Sequence, residues 1–448
     1  MATFGLATLR LSHKVHHEAL PQSDAETSAA AALDQSVAAA AAAPDDTRKP
    51  ARARSEESET AELGEASSSE RPKLRRRHTT WRWSKGGPEV PKLSARCCCR
   101  SGICICLTLC VSFSLMVVYF VIAYSIADYP EDMEWEDGPY ATAQSRIEVG
   151  GFEPRTKDWL SLQTALAYVP TGGNVGNRTF PLLSFSHGDG SGWPWTNFWY
   201  GDLLRKVSSH GFVILAHESC VPTCDNEQYL DQLHVLTWAD DKRYDGTASA
   251  DPVLRLVDFS KPKGVFGQST GGRASIQSAA EASTIGTQAQ QACVGAAVLL
   301  NSDPCVGETG RPGWRHGDCD AARFVTNVGM AVFTGTEDRP EPKGSSEAIL
   351  EAAPTTDKIY ANMTGAGHMD GCSALWAGFA AAFFQVHLNA QGPGTPYFER
   401  VYSNSSDEAL CGGHYPMAHC VAPEPSVWQT PAQCAAELAA ATTRRGGA

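Results

Sequence analysis

The chain has 448 residues, of which 42% are hydrophobic, and its net charge is −13. This length allows one large domain or two average ones, and the acidity argues against nucleic acid as the main partner. Residues 1–101 are rich in alanine, serine and charged residues, with few large apolar side chains. Such a composition buries too little surface to offset ordering entropy, so we expect a disordered cytoplasmic tail that is basic near its end.

A membrane span is predicted at residues 102–126. Within it, Ile103–Ile126 is a run of 24 residues without a charge, which exceeds the roughly 20 that cross a bilayer core. A buried core helix is the alternative, but the length and the unequal flanks favour a span. Basic residues precede the run and acidic residues follow it. Because Lys and Arg stay on the cytoplasmic side, we expect a single-pass type II protein with an acidic stalk at 127–145 and an extracellular or luminal remainder.

Nine cysteines follow the predicted span, in a compartment where disulfides persist. Because nine is odd, at least one is free or bonded between chains. No paired Cys-x-x-Cys or His-x-His cluster accompanies them, so we expect no metal site. Asn177, Asn362 and Asn404 each begin a glycosylation sequon, which is consistent with a luminal location.

Short apolar runs then alternate with helix-like segments. The strand-like runs are 164–169, 181–186, 212–216, 264–266, 296–300, 331–334 and 358–361. This alternation predicts an α/β domain at 146–400, built on a parallel sheet with helices on both faces, and a cysteine-containing extension at 401–448. In such sheets the functional groups gather at the carboxyl ends of the strands.

The segment Gly267–Gly272 lies between an apolar run and a helix-like stretch. In a nucleophile elbow the serine occupies a strained strand-to-helix turn, and the glycines two before and two after it avoid clashes with neighbouring backbone. Ser269 is therefore the candidate nucleophile. An ordinary glycine-rich loop is the alternative, because a chain with 40 glycines contains such patterns by chance.

Two later strand ends supply the other members of a catalytic triad. Asp338 follows the run 331–334, and His368 follows the run 358–361, in the order Ser, Asp, His that is expected of this arrangement. His368 would take the Ser269 proton, while the aspartate fixes the histidine tautomer and stabilises the imidazolium. Asp303 also lies at a strand end and is the alternative acid.

The oxyanion formed on attack needs preorganised donors, which we assign to the backbone N–H groups of Asp189 and Thr270. A plain tight turn is the alternative for the glycines around Asp189. Among the nearby aromatic residues, we expect Trp193 and Trp195 near the cleft and Trp199 in the core. These aromatic side chains would form a wall of the cleft, against which an apolar acyl or alkyl group of a substrate could pack.

Four motifs together resemble one branch of the α/β-hydrolase superfamily, which contains chlorophyllases, platelet-activating-factor acetylhydrolases and cutinase-like polyester hydrolases. The motifs are Phe185–Gly188, Ser208–Val213 with its Ser-His-Gly-Phe core, Gly267–Gly272 and Gly365–His368. The resemblance covers roughly residues 164–388 and implies an α/β-hydrolase fold without a metal or organic cofactor.

The resemblance also implies which residues form the site, but it leaves the identity of the acid open. Ser269 and His368 match the nucleophile and base, and Asp189 and Thr270 match the oxyanion donors. Polyester hydrolases resemble the Asp338 assignment, whereas chlorophyllases and the acetylhydrolases resemble Asp303. Gln268 and Thr270 differ from the residues that these subgroups usually place around the serine, so the substrate does not transfer.

Taken together, these features predict a membrane-anchored serine ester hydrolase that forms an acyl-enzyme intermediate. Its substrates would be small or lipid-like carboxylic esters with an apolar acyl or alkyl part, of lipid-like, polyester-like or chlorophyll-like kind. The rival hypothesis is a catalytically silent hydrolase fold that serves as an adhesion or receptor module, against which the presence of all three triad residues argues.

Overall fold

The computed structural model of the protein describes residues 136–152, 162–219, 227–284, 292–303, 320–340, 344–403 and 406–423, together with the isolated residues 111 and 114. The predicted tail at 1–101 lies outside this set, as does the predicted span at 102–126 apart from those two residues. Within the described ranges, no helix combines the length and the apolar character needed to cross a membrane.

A mixed sheet of nine strands organises the described chain, in the order β1-β2-β4-β3-β5-β6-β7-β8-β9. The strands are β1 Ala141–Glu148, β2 Thr164–Thr171, β3 Leu182–Ser186, β4 Val213–His217, β5 Lys263–Gln268, β6 Val294–Leu300, β7 Gly329–Glu337, β8 Lys358–Gly367 and β9 Met417–Val421. All neighbours from β4 to β8 pair in parallel, whereas the pairs β1–β2, β2–β4 and β8–β9 are antiparallel.

Helices cover both faces of this sheet. They are α1 Thr196–Ser209, α2 Gln228–Tyr244, α3 Thr270–Ser283, α4 Ser345–Ala352, α5 Ala377–Asn389 and α6 Pro396–Tyr402. Apolar residues of α1, α5 and α6 belong to one buried cluster, and those of α2, α3 and α4 belong to the other. The predicted α/β class with a mostly parallel sheet is therefore confirmed.

The central strands form because their side chains are buried on both faces. Every residue of β3, β4 and β5 is buried. In β5, Phe266 enters the cluster under α5, while its neighbour Val265 enters the cluster under α3. Such strands appear in a sequence as continuous apolar runs rather than as alternating patterns. The sequence therefore indicates them directly.

The sheet extends beyond the predicted domain bounds of 146–400 at both ends. β1 begins inside the predicted stalk at 127–145, and β9 lies inside the predicted extension at 401–448. Both are edge strands whose side chains are mostly exposed, so they carry no apolar pattern that indicates a strand. A disulfide between Cys411 and Cys420 ties β9 to the preceding loop, and Cys372 is buried and free.

One buried ion pair supports the amino end of β5. Lys263 Nζ lies 2.9 Å from Asp240 Oδ2 on α2, and the two side chains are 1% and 8% exposed. The same Nζ donates to the carbonyl of Ala292. A buried charge that loses its partner is strongly destabilising, whereas replacing both partners by apolar residues is often neutral.

We therefore expect Lys263→Met to lower the free energy of unfolding by about 3–5 kcal/mol, because it leaves the Asp240 carboxylate buried without a counter-charge. The double variant Lys263→Met, Asp240→Leu should recover most of this loss. Chemical denaturation of both variants and the unaltered protein tests the prediction. Equal destabilisation of the single and double variants would contradict it.

Candidate active site

The turn at Ser269 connects β5 to α3 and has an unusual backbone conformation. Ser269 adopts φ 57° and ψ −123°, directly before the first residue of α3. Residues with side chains rarely adopt this region of conformational space, and such strain persists only where the surrounding structure imposes it. A strained serine between a buried strand and a helix is the geometry expected of a nucleophile elbow.

The glycines around Ser269 are required by close backbone contacts. A Cβ atom at Gly271 would lie 2.0 Å from the carbonyl oxygen of Ser186 at the end of β3, and a Cβ atom at Gly267 would lie 2.4 Å from the carbonyl carbon of Gly271. Both distances are far below van der Waals contact. These positions therefore admit only glycine as long as α3 packs against the end of β3, as the sequence pattern predicted.

His368 and Asp338 meet at the same edge of the sheet. His368 directly follows β8, and its Nδ1 lies 2.9 Å from Asp338 Oδ1, with the two side chains 9% and 4% exposed. Because a carboxylate only accepts, the Nδ1–H donates this bond. Asn301 Nδ2 donates to the second carboxylate oxygen, Asp338 Oδ2, at 2.7 Å and to the carbonyl of Gly367 at 3.3 Å. Asn301 thereby orients the aspartate toward the histidine.

The alternative acid, Asp303, has a different partner. Its Oδ2 lies 2.8 Å from Nη1 of Arg273 on α3, and these side chains are 1% and 8% exposed. The backbone N–H of Asp303 also donates to the carbonyl of Ser269. The structure thus joins Asp338 to His368 and joins Asp303 to the helix that carries the candidate nucleophile.

The loop after β3 lies directly against Ser269. A Cβ atom at Gly188 would lie 3.2 Å from Ser269 Cβ, and the next residue, Asp189, is exposed. The Gly188 N–H donates to the Tyr200 hydroxyl at 2.8 Å, which holds the loop. Thr270 is the first residue of α3, so its N–H has no carbonyl partner within the helix. Gly188, the residue before the predicted donor Asp189, and Thr270 therefore both lie next to Ser269.

Tyr200 and Gln268 connect the three loops of the site. The Tyr200 hydroxyl donates to Gln268 Oε1 at 3.0 Å, and Gln268 Nε2 donates to the carbonyl of His368 at 3.1 Å. Burial raises the pKa of Tyr200 well above its ordinary value, so its hydroxyl stays protonated. Neither contact was predicted, because the partners are distant in sequence. Gln268 is only 2% exposed, so its side chain supports the site rather than lining a cleft.

A buried chain of hydrogen bonds underlies the same loop. Ser186 Oγ lies 2.8 Å from His217 Nε2, and His217 Nδ1 lies 2.9 Å from Ser219 Oγ. Ser219 Oγ in turn donates to Asp231 Oδ2 at 2.7 Å. These four side chains are at most 2% exposed, so no substrate reaches the Ser186 hydroxyl. The chain supports the carboxyl ends of β3 and β4.

Aromatic residues follow the Gly188 loop at the surface. Trp195 is 52% exposed and Phe198 is 70% exposed, and their rings are in edge contact. Phe198 belongs to α1 but lies on its solvent side. Trp199 is only partly buried against the core, so it packs at the margin of the core rather than within it.

Neither the protein-family models nor the curated proteins include a match to this chain. Among the residues that the structure describes, no group of three or more His, Cys, Asp or Glu side chains is arranged to hold a metal ion.

The different partners of the two aspartates yield a paired prediction. We expect Asp338→Asn to lower ester turnover by about 10⁴-fold with little change in stability, because the histidine loses the group that selects its tautomer. Asp303→Asn should instead lower the free energy of unfolding by about 3–5 kcal/mol, because it leaves the buried Arg273 without its carboxylate.

Steady-state kinetics and chemical denaturation of both variants separate the two roles. The folded fraction of Asp303→Asn should retain most of its turnover. A folded but inactive Asp303→Asn, together with a fully active Asp338→Asn, would reverse the assignment.

Proposed function

We propose that this protein is a serine ester hydrolase with an α/β-hydrolase fold. The observation that carries the proposal is the convergence of four strand ends. A strained Ser269 follows β5 and precedes a helix, the buried pair of Asp338 and His368 follows β7 and β8, and the glycine-containing loop after β3 packs against the serine. A nucleophile, a base with its orienting acid, and backbone donors are the parts that acyl transfer requires.

In the acylation step, His368 Nε2 takes the proton of the Ser269 hydroxyl while Oγ attacks the ester carbonyl. The bond from Nδ1–H to Asp338 leaves Nε2 as the ring's basic nitrogen and stabilises the imidazolium that forms. The N–H groups of Asp189 and Thr270 stabilise the negative charge on the former carbonyl oxygen. The intermediate collapses, the C–O bond to the alcohol breaks, and the imidazolium returns its proton to the leaving alkoxide.

Deacylation repeats these roles with water as the nucleophile. His368 takes a proton from the water, the hydroxide adds to the acyl carbon, and the second tetrahedral intermediate expels Ser269, which regains its proton. The products are a carboxylic acid and an alcohol. The proposed mechanism uses only groups of the chain and water.

The proposed substrates are esters with an apolar acyl or alkyl part. The exposed rings of Trp195 and Phe198 follow the oxyanion loop in sequence, and large aromatic side chains are suited to contact with apolar groups. The proposal also includes the type II topology that the sequence predicts, with the catalytic domain outside the cell or in the secretory lumen. The predicted tail and all but two residues of the predicted span, on which that topology rests, lie outside the described residues.

Substitution of the nucleophile tests the chemistry. We expect Ser269→Ala to lower hydrolysis of short acyl esters by a factor of about 10⁴ or more, because the covalent step is lost. A fluorophosphonate probe should label the unaltered protein on Ser269 and leave the variant unlabelled. Circular dichroism of the variant serves as the control for folding.

Two results would refute this proposal. Unchanged ester turnover in Ser269→Ala would show that another group performs the reaction. A folded, unaltered protein that neither hydrolyses esters nor reacts with the probe would favour the rival hypothesis of a catalytically silent adhesion or receptor module.

A protease-protection experiment tests the proposed topology. Because basic residues precede the predicted span, protease added to intact cells that carry the protein at their surface should digest the chain beyond Asp128 and spare an epitope placed before Arg71. In sealed vesicles whose lumen is inside, the epitope should be digested and the chain beyond Asp128 should be protected. Equal accessibility of the two parts would contradict a single span, and a cytosolic C-terminal part would contradict the orientation.

A further inference from the structure

The loop between β2 and β3 carries a glycosylation sequon at the surface. Asn177, Arg178 and Thr179 are all exposed, and the loop turns here, because the Arg178 N–H donates to the carbonyl of Val175 at 2.9 Å. The three sequon residues also line a cavity of about 500 Å³. The asparagine and the threonine that N-glycosylation requires therefore lie beside open space that can take a sugar.

This loop lies at the opposite edge of the sheet from the candidate active site. β3 runs parallel to β5, so the loop before β3 lies at the amino ends of these strands, whereas Ser269 follows the carboxyl end of β5. The five residues of β3 span roughly 16 Å. A large polar group on Asn177 would therefore leave the candidate active site open.

A second sequon, at Asn362, lies inside the sheet. Asn362 belongs to β8 and pairs with Thr334 of β7 on one side and with His419 of β9 on the other. Its Oδ1 atom is buried. Tyr360, two residues earlier, bonds Glu347 of α4. Because side chains alternate along a strand, Asn362 lies on the same face of β8, which α4 covers.

A glycan on Asn362 does not suit this arrangement. The side chain lines a cavity of about 280 Å³, which Asp338, the candidate acid, also lines. A sugar in that cavity would compete with α4 for space and would contact the group that orients His368. The sequence treats the two sequons alike, whereas the fold exposes one and encloses the other.

We propose that Asn177 carries an N-linked glycan in the folded protein and that Asn362 does not. The inference rests on the luminal or extracellular location in the proposed function, because sequons are used in secreted chains. In the transfer step, Asn177 Nδ2 bonds the anomeric carbon of an oligosaccharide that is carried on a lipid diphosphate. The bond from that carbon to the diphosphate oxygen breaks, the lipid diphosphate leaves, and Nδ2 gives one proton to a base of the transferring enzyme.

Expression of the full chain in cells that glycosylate secretory proteins tests the proposal. Asn404 lies outside the described residues, so all variants also carry Asn404→Gln, which restricts the comparison to the two described sequons. Peptide N-glycosidase converts a glycosylated asparagine to aspartate, and mass spectrometry then locates the converted residue. We expect conversion at Asn177 and none at Asn362. Asn177→Gln should abolish the change in electrophoretic mobility on deglycosylation, and Asn362→Gln should leave that change intact.

Two substitutions at Thr179 separate the glycan from the asparagine itself. Thr179→Ala destroys the sequon and should abolish the modification, whereas Thr179→Ser preserves the sequon and should retain it. Asn177→Gln and Thr179→Ala should keep kcat and KM for a short acyl ester within about twofold, because the loop is a surface site far from Ser269.

Two results would overturn the inference: a folded protein with an unmodified Asn177, or a folded protein with a glycan on Asn362. The protease-protection experiment identifies which proposal has failed. If the C-terminal part is luminal and Asn177 is unmodified, only the inference about the glycan fails. If the C-terminal part is cytosolic, the proposed topology fails and this inference fails with it. Ester hydrolysis is measured separately, since the glycan takes no part in that reaction.

Discussion

The contact between the first turn of α3 and the end of β3 is the constraint on which the candidate site depends. The carbonyl oxygen of Ser186 lies where a side chain at Gly271 would begin, so helix and strand approach as closely as two backbones can. This approach forces the turn at Ser269 into its strained conformation. It also brings the loop at Gly188 against the serine. The strained backbone of Ser269 and its proximity to the Gly188 loop therefore have the same physical origin.

The loop after β6 supports the site in two directions. Asn301 extends toward the candidate acid and occupies the carboxylate oxygen that His368 does not use. Asp303, two residues later, extends toward Arg273 on α3 and bonds the backbone of Ser269. A single loop thereby orients the histidine–aspartate pair and holds the helix that follows the serine. Its two polar residues act on different members of the site, because Asn301 bonds the candidate acid Asp338 and Asp303 pairs with Arg273 on α3.

Buried polar groups are concentrated at the carboxyl edge of the sheet. The body of the sheet is apolar on both faces, but its edge holds Tyr200, Gln268 and the chain from Ser186 to Asp231. Satisfied networks of this kind rigidify their surroundings, which suits loops that must hold backbone donors in place.

The amino-acid sequence alone indicated the α/β class and the positions of the central strands along the chain, because continuous apolar runs are a local property. Its glycine pattern marked the turn at Ser269, but the clash that requires Gly271 is with Ser186 at the end of β3, so its cause is tertiary. The sequence could not determine the edge strands β1 and β9, whose exposed residues carry no apolar signal. It indicated Asp338 as the acid but left Asp303 open as the alternative, and it gave no sign of the contacts of Asn301, Tyr200 and Gln268. Those were decided only by tertiary structure, because a hydrogen bond between residues 37 or 68 positions apart depends on which strand ends the sheet brings together.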